Sequence, residues 1–263
     1  MKEILGQITP GLKYADLHVH TKASDGLLSP EQVVVMAREA NLAAVAVTDH
    51  NEVAAAKDAQ DFARNTGNDI EVIIGSEIST TDGHLIAIYI EGPVKPRQSA
   101  LRTIHQIHDL GGLVIIPHPF FRRIHTSLGK ETLLTIIGSL KEPETLDGFE
   151  VFNLGVEERN QQRAENPKDN SKAVFFYEKF GRLLGAAIAS SDNHRYTIGR
   201  ARTGYVGDLK ECILSAQTIP VVLNLEEQRR IIDRAVKIFG QEAVLPPKLI
   251  QRYQRVIRDL TSG

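Results

Sequence analysis

Apolar residues along this chain gather in short runs set between stretches of helical spacing. LAAVAV spans residues 42–47, IEVII spans 70–74, LVII spans 113–116 and AAIA spans 186–189. Runs of small or β-branched residues like these suit strands covered on both faces, where polar and apolar residues need not alternate. Between the first strand and the second, Val33, Met36, Ala37 and Ala40 recur at helical spacing. Ser29, Pro30 and Gln32 supply that helix with an N-cap, a first-turn proline and a capping-box partner. Asn51 is placed to cap a helix over 52–65, closed by Gly67, and further helices are predicted over 99–110, 131–140 and 171–184. The polar stretch 155–170 reads as a surface excursion. Amphipathic segments within about 225–261 are expected to pack outside the core, so residues 1–263 read as a single domain.

Asp82 and Gly83 form a turn signal between GSE at 75–77 and the apolar alternation that His84 opens. A hairpin there returns His84 to the rim that carries Glu77. Elsewhere strands and helices alternate, which argues for a parallel sheet, open or closed. His18, His20, His50, Glu77, His118, Asp192 and His194 all fall at or just past predicted strand ends. Parallel α/β barrels collect functional groups from the C-terminal ends of many strands, whereas an open sheet gathers them at one switch point. The expected architecture is therefore α/β, a barrel made irregular by the hairpin.

Composition adds exclusions. The formal charge is −2, so no basic field exists to hold a nucleic-acid backbone or an anionic membrane, and no strong nucleic-acid binding is expected. No stretch approaches the roughly 20 apolar residues that span a bilayer, and the N-terminus lacks a signal-peptide core; the expected location is cytoplasmic. With Cys212 the single cysteine, any metal must sit on His, Asp and Glu.

In an extended chain His18 and His20 point to the same side, with Val19 opposite, and form a two-toothed chelate. Adding Asp25, His50, Glu77, His84, His118, Asp192 and His194 gives nine candidate metal ligands, enough for two or three divalent ions. Crowded imidazoles and carboxylates are costly to desolvate unless cations compensate them. A carboxylate such as Glu77 is suited to bridge two ions, and closely spaced metals activate water and stabilise displacement at phosphorus.

HVHTKASDG, VTDH, GSE, HLIAIYI, PHP, DGFEVFN and SDNH followed by IGRARTGY resemble, in this order and spacing, the motifs of the PHP (polymerase and histidinol phosphatase) family. The resemblance covers roughly residues 14–206. It implies a distorted (β/α)7 TIM-like barrel holding a trinuclear centre of zinc, manganese or iron. His18, His20, Glu77 and Asp192 would surround one ion; Glu77, His84 and His118 the second; Asp25, His50 and His194 the third. It also implies phosphoester hydrolysis by a hydroxide shared between the ions, with Asp192, His194, His50 and Glu77 as the catalytic set. The expected substrate is a small phosphomonoester or nucleotide; histidinol phosphate, a non-catalytic accessory barrel and C–N bond hydrolysis are the competing readings. Arg200, Arg122 and His125 are candidate phosphate contacts. His105 and His108 read as half-exposed helix residues, Asp49, Glu150 and Asn153 as supporting groups, and Phe120 and Phe121 as packing under a loop.

Overall fold

The computed structural model describes residues 5–121, 126–140, 145–163 and 169–240. Among the described residues nine strands form one sheet: β1 (Lys13–Val19), β2 (Ala44–Val47), β3 (Glu71–Ser79), β4 (His84–Ile88), β5 (Leu113–Ile116), β6 (Gly148–Asn153), β7 (Ala186–Ser190), β8 (Ala201–Tyr205) and β9 (Ile219–Val222). Their order is β7-β6-β5-β4-β3-β2-β1-β8-β9. The sheet curls until its ends nearly meet. The chain just past β7 touches the end of β1, with His20 N donating to Asn193 O at 2.9 Å and Asn193 N to His18 O at 3.2 Å. The result is a nearly closed barrel from β1 to β7, with β8 and β9 continuing antiparallel beyond β1. β3 and β4 are joined directly as an antiparallel hairpin in which Ser79 pairs with His84, so the strand–helix alternation lapses there as the turn signal predicts.

The barrel interior is filled by alternate residues of its strands, including Ala15, Leu17, Ala44, Ala46, Ile73, Ile86, Ile88, Ile115 and Ile188. Outward-facing residues such as Val45, Val47 and Val72 pack instead beneath α1 (Pro30–Glu39) and α2 (Ala54–Asn65). Ser29 caps α1 and Gln32 closes the capping box as expected. Asn51 does not cap α2. It takes a left-handed backbone, φ +57°, and its side chain bonds the backbone and hydroxyl of Ser79 at 2.8 and 3.1 Å, while Glu52 accepts from Ala54 N. The other α-helices among the described residues are α3 (Ala100–Asp109), α4 (Gly129–Ser139), α5 (Leu154–Arg163), α6 (Asp169–Phe180), α7 (Leu209–Leu214) and α8 (Leu225–Phe239).

The expected surface excursion at 155–170 is corrected in part, because α5 starts directly from β6. Asn153 Oδ1 accepts from Val156 N at 2.9 Å, so the last strand residue caps the helix, and Leu154 and Val156 are buried. Ile231 and Ala235 of α8 join the core beneath α1, whereas the part of the expected amphipathic segments beyond residue 240 lies outside the described residues. Among the described residues no helix is long and apolar enough to cross a membrane.

Candidate metal centre

All nine candidate ligands stand at one mouth of the barrel, and a local irregularity aims the first two. Alternation from Ala15 and Leu17, which face the barrel interior, would point His18 away from it. Between Asp16 and Val19, β1 uses three residues where β2 uses two. The extra residue of this bulge reverses the alternation, so Val19 faces the outer core and His18 and His20 face the site. Two other ligands occupy left-handed backbone that side chains rarely adopt: His118 at φ +27° and Asp192 at φ +47°. The surroundings hold them there. His118 N donates to Glu150 Oε2 at 2.7 Å, and the peptide after Asp192 makes the bonds that close the barrel.

Glu77 is the hub. Its Oε2 lies 3.3 Å from His18 Nε2, 3.2 Å from His20 Nε2 and 3.3 Å from His50 Nδ1. Its Oε1 lies 2.7 Å from His84 Nδ1 and 2.9 Å from His118 Nε2. Asp192 Oδ1 stands 3.6 Å from both His18 and His20 and 3.3 Å from His194 Nδ1. Outermost is Asp25, whose Oδ2 is 3.1 Å from His194 Nε2 and 3.7 Å from His50 Nε2, and whose Oδ1 is 3.5 Å from His20 Nδ1. Donor atoms therefore converge in overlapping groups: His18, His20 and Asp192; His18, Glu77 and His118; His50, Glu77 and His84; and His20, Asp25, His50 and His194.

A carboxyl hub of two oxygens does not neutralise this density of nitrogen lone pairs. The Nε2 atoms of His18 and His20 face each other at 3.0 Å, and His50 Nδ1 is buried without a hydrogen-bond partner although it lies beside Glu77. Lone pairs aimed at common points, with protons to satisfy only some of them, are what cations resolve. The donor set of imidazole and carboxylate suits zinc, iron or manganese, and the residues fit the metal centre expected of them.

Electrostatics are correspondingly perturbed. Burial lowers His18, but Asp192, Glu150 and Glu77 outweigh it and hold the imidazole well above its ordinary range. Burial raises Glu77, yet the surrounding histidines, His18 first, keep it well below the usual carboxylate range. Asp25 is likewise held low, against the effect of burial, by hydrogen bonds from His194 and His50. Outside the ligand set, Glu150 fixes the inner imidazoles: Oε1 accepts from His18 Nδ1 at 2.9 Å and from Ser190, and Oε2 accepts from His118 N and from Asn153 Nδ2 at 2.8 Å. With Nδ1 committed to Glu150, Nε2 is the nitrogen that His18 turns toward the site.

A family model described as the PHP domain matches residues 16–245. The chain belongs to the PHP domain family. It is 32% identical over 150 residues to MJ1587, an uncharacterized protein of Methanocaldococcus jannaschii, a match covering 53% of this chain and 81% of that protein. It is 39% identical over 197 residues to the 5'-3' exoribonuclease Rnm of Escherichia coli, covering 73% of this chain and spanning 56% of Rnm. A solved two-domain protein of Bacteroides vulgatus, containing a predicted PHP-like metal-dependent phosphoesterase, superposes with a TM-score of 0.54 at 17% identity, covering 87% of this chain and 73% of that one. This likeness carries the barrel fold of this PHP domain.

The Arg200 guanidinium is engaged by other partners: Nε donates to Gln228 Oε1 and Nη1 to Glu158 Oε1, both at 3.0 Å, tying the residue before β8 to α8 and α5. Arg122 and His125 lie outside the described residues. Among the described residues, Arg159 of α5 is an arginine at the mouth, and sequence reasoning missed it. Its Nη1 stands 3.5 Å from Asp192 Oδ2, its Nη2 3.4 Å from His194 Nδ1, and its guanidinium lies over the Phe121 ring. Phe120 packs against Phe149 and Phe176, in keeping with a packing role. His108 pairs with Asp147 at 2.9 Å, remote from the cluster.

Proposed function

We propose that this chain is a metal-dependent phosphoesterase that hydrolyses the phosphate ester of a nucleotide or of another small phosphorylated compound. The observation that carries the reading is the convergence on Glu77 of five imidazoles, those of His18, His20, His50, His84 and His118, from the ends of four strands. His18, His20, Glu77 and Asp192 would hold one cation, Glu77, His84 and His118 a second, and Asp25, His50 and His194 a third. Bound divalent cations supply Lewis-acid polarisation of phosphoryl oxygens and a lowered pKa for water. Arg159 contributes what histidines and carboxylates lack, a permanent planar cation able to take two phosphate oxygens at once. Its perch on Phe121 and its weak hold on Asp192 leave the guanidinium at the mouth, about a third exposed. Kinship with an exoribonuclease supports a nucleotide as the esterified group.

The test is turnover by protein reconstituted separately with zinc, manganese and iron. A chromogenic phosphomonoester, a chromogenic phosphodiester, histidinol phosphate, mononucleotides and a short 5'-phosphorylated oligoribonucleotide would be the substrates. Phosphate or nucleotide release that is absent from a His20→Ala, Asp192→Ala double variant is the expected result. No turnover on any of them, with metal bound, would favour a non-catalytic barrel, and amide hydrolysis without phosphate release would favour C–N chemistry.

A further inference from the structure

The three donor groups are not built alike. Inner donors come from strand ends and are sealed in: the side chains of His18, Glu77 and Asp192 are 0%, 2% and 2% exposed. The outermost group depends on Asp25, whose side chain is 52% exposed and stands on the turn that follows β1. That turn is drawn tight, since Gly26 N donates to Thr21 O at 2.8 Å and Ala23 N to Thr21 Oγ1 at 3.1 Å. A Cβ on Gly26 would come within 2.4 Å of the carbonyl oxygen of His20.

What pins the turn is a buried carboxylate that belongs to none of the donor groups. Asp49 Oδ1 accepts from Thr21 N at 2.8 Å and from the Ser24 hydroxyl, and Oδ2 accepts from Thr21 Oγ1 at 2.7 Å. The Asp49 backbone is itself fixed to the inner cluster, its carbonyl accepting from Glu77 N at 3.2 Å and from Ser76 Oγ at 3.0 Å. Asp49 therefore links the rigid strand ends to the turn that bears the exposed ligand.

We infer that Asp49 is a positioning residue that latches the turn over residues 21–26 and thereby sets the affinity of the outermost cation position, leaving the inner positions untouched. The inference rests on the reading of this mouth as a metal centre. It makes the outermost cation conditional and exchangeable, and the inner cations permanent.

Manganese titration of the full chain, followed by the electron paramagnetic resonance of the free ion and by metal analysis after dialysis, tests it. Asp49→Ala should weaken the last ion to bind by at least tenfold, matching Asp25→Asn, with the tighter ions retained. Asp49→Asn keeps one oxygen for Thr21 N and Ser24 and an amide for the Thr21 hydroxyl, so it should bind the last ion within about threefold of wild type. Loss of every ion in Asp49→Ala would overturn the selective role in favour of a general folding role. Equal losses in the Asn and Ala variants would assign the effect to charge and overturn the latch. A wild type that binds no more ions than Asp25→Asn would also overturn it. These readouts count ions, so wild type that binds all of them without turnover would refute the phosphoesterase reading alone.

Discussion

Replacing Glu150 by glutamine changes one buried atom and should disable a residue it merely supports. The four groups facing the Glu150 carboxylate are His18 Nδ1, the Ser190 hydroxyl, His118 N and Asn153 Nδ2. In Glu150→Gln one carboxylate oxygen becomes an NH2 group, which must face one of the two pairs. The backbone N–H of His118 cannot turn away, and Asn153 already spends its carbonyl on Val156 N, so that side retains the oxygen. The NH2 then meets Ser190, which can rotate, and His18 Nδ1, which can accept only by moving its proton to Nε2. A proton fixed on Nε2 removes the lone pair that a cation would need there. Were His18 instead to keep its tautomer, a buried donor would lose its partner, at about 1–3 kcal/mol. Either way the cost matches the 10–100-fold loss of metal affinity typical when a carboxylate behind a histidine ligand is altered. Isothermal titration with zinc and manganese measures the affinity, and nitrogen NMR of labelled histidine reads the tautomer. A variant that binds both metals as wild type does, with His18 still protonated at Nδ1, would refute the reasoning.

Arg159→Ala should lower kcat/KM on a phosphate ester by roughly 10–100-fold, the worth of a charge-assisted bond at about 1.5–3 kcal/mol, with little change in melting temperature. Arg200→Ala, which cuts ties to Gln228 and Glu158, should show the opposite split, lost stability with kcat/KM held; reversed results in the two variants would restore Arg200 as the phosphate contact. Gly155→Ala places a Cβ 2.6 Å from Asp192 Oδ2 and 3.0 Å from its Cβ, so Asp192 must shift and metal affinity should fall, and undiminished affinity would count against the geometry. Asp16, pushed up to about 6 by burial, holds Ser191 N and Gly199 N. A raised carboxyl favours the folded state below its unfolded value of 3.8 and loses that contribution as pH rises through about 6, a change of about 3 kcal/mol. Denaturant midpoints of wild type and Asp16→Asn should therefore differ most favourably for wild type near pH 4, and a constant difference from pH 4 to pH 7 would exclude the effect.

Strand ends were legible because burial on both faces forces apolar runs, and a polar residue that closes such a run stands out. That logic reaches His50 after 42–47, Glu77 after 70–74 and His118 after 113–116, and the turn signal at Asp82 and Gly83 supplies His84. The bulge in β1 is invisible to the same logic, because one extra residue leaves the spacing of His18 and His20 unchanged while reversing the face they share. Asn51 misled for a related reason: its side chain suits an N-cap, but it bonds Ser79 across the sheet, a partner 28 residues away that no local pattern announces.

Arg159 and Arg200 mark where strand-end reasoning stops. Arg200 follows the last ligand in sequence and leads into β8, whose antiparallel pairing sets its start beside the mouth end of β1, so proximity favoured it, yet its guanidinium is engaged by Gln228 of α8 and Glu158 of α5. Arg159 sits in a stretch whose polarity suggested a loop, and a loop arginine has no fixed address. Once Asn153 caps α5 directly at the end of β6, that polarity becomes one face of a helix beginning at the mouth. The glycine at 155 then lets the helix approach Asp192 more closely than a side chain would permit. Residue 159 follows one turn later, which brings its guanidinium to Asp192 and His194. The signal that could have found it is the pairing of Asn153 with Gly155, a cap followed by a close-contact glycine, at the exit of a strand already assigned to the site.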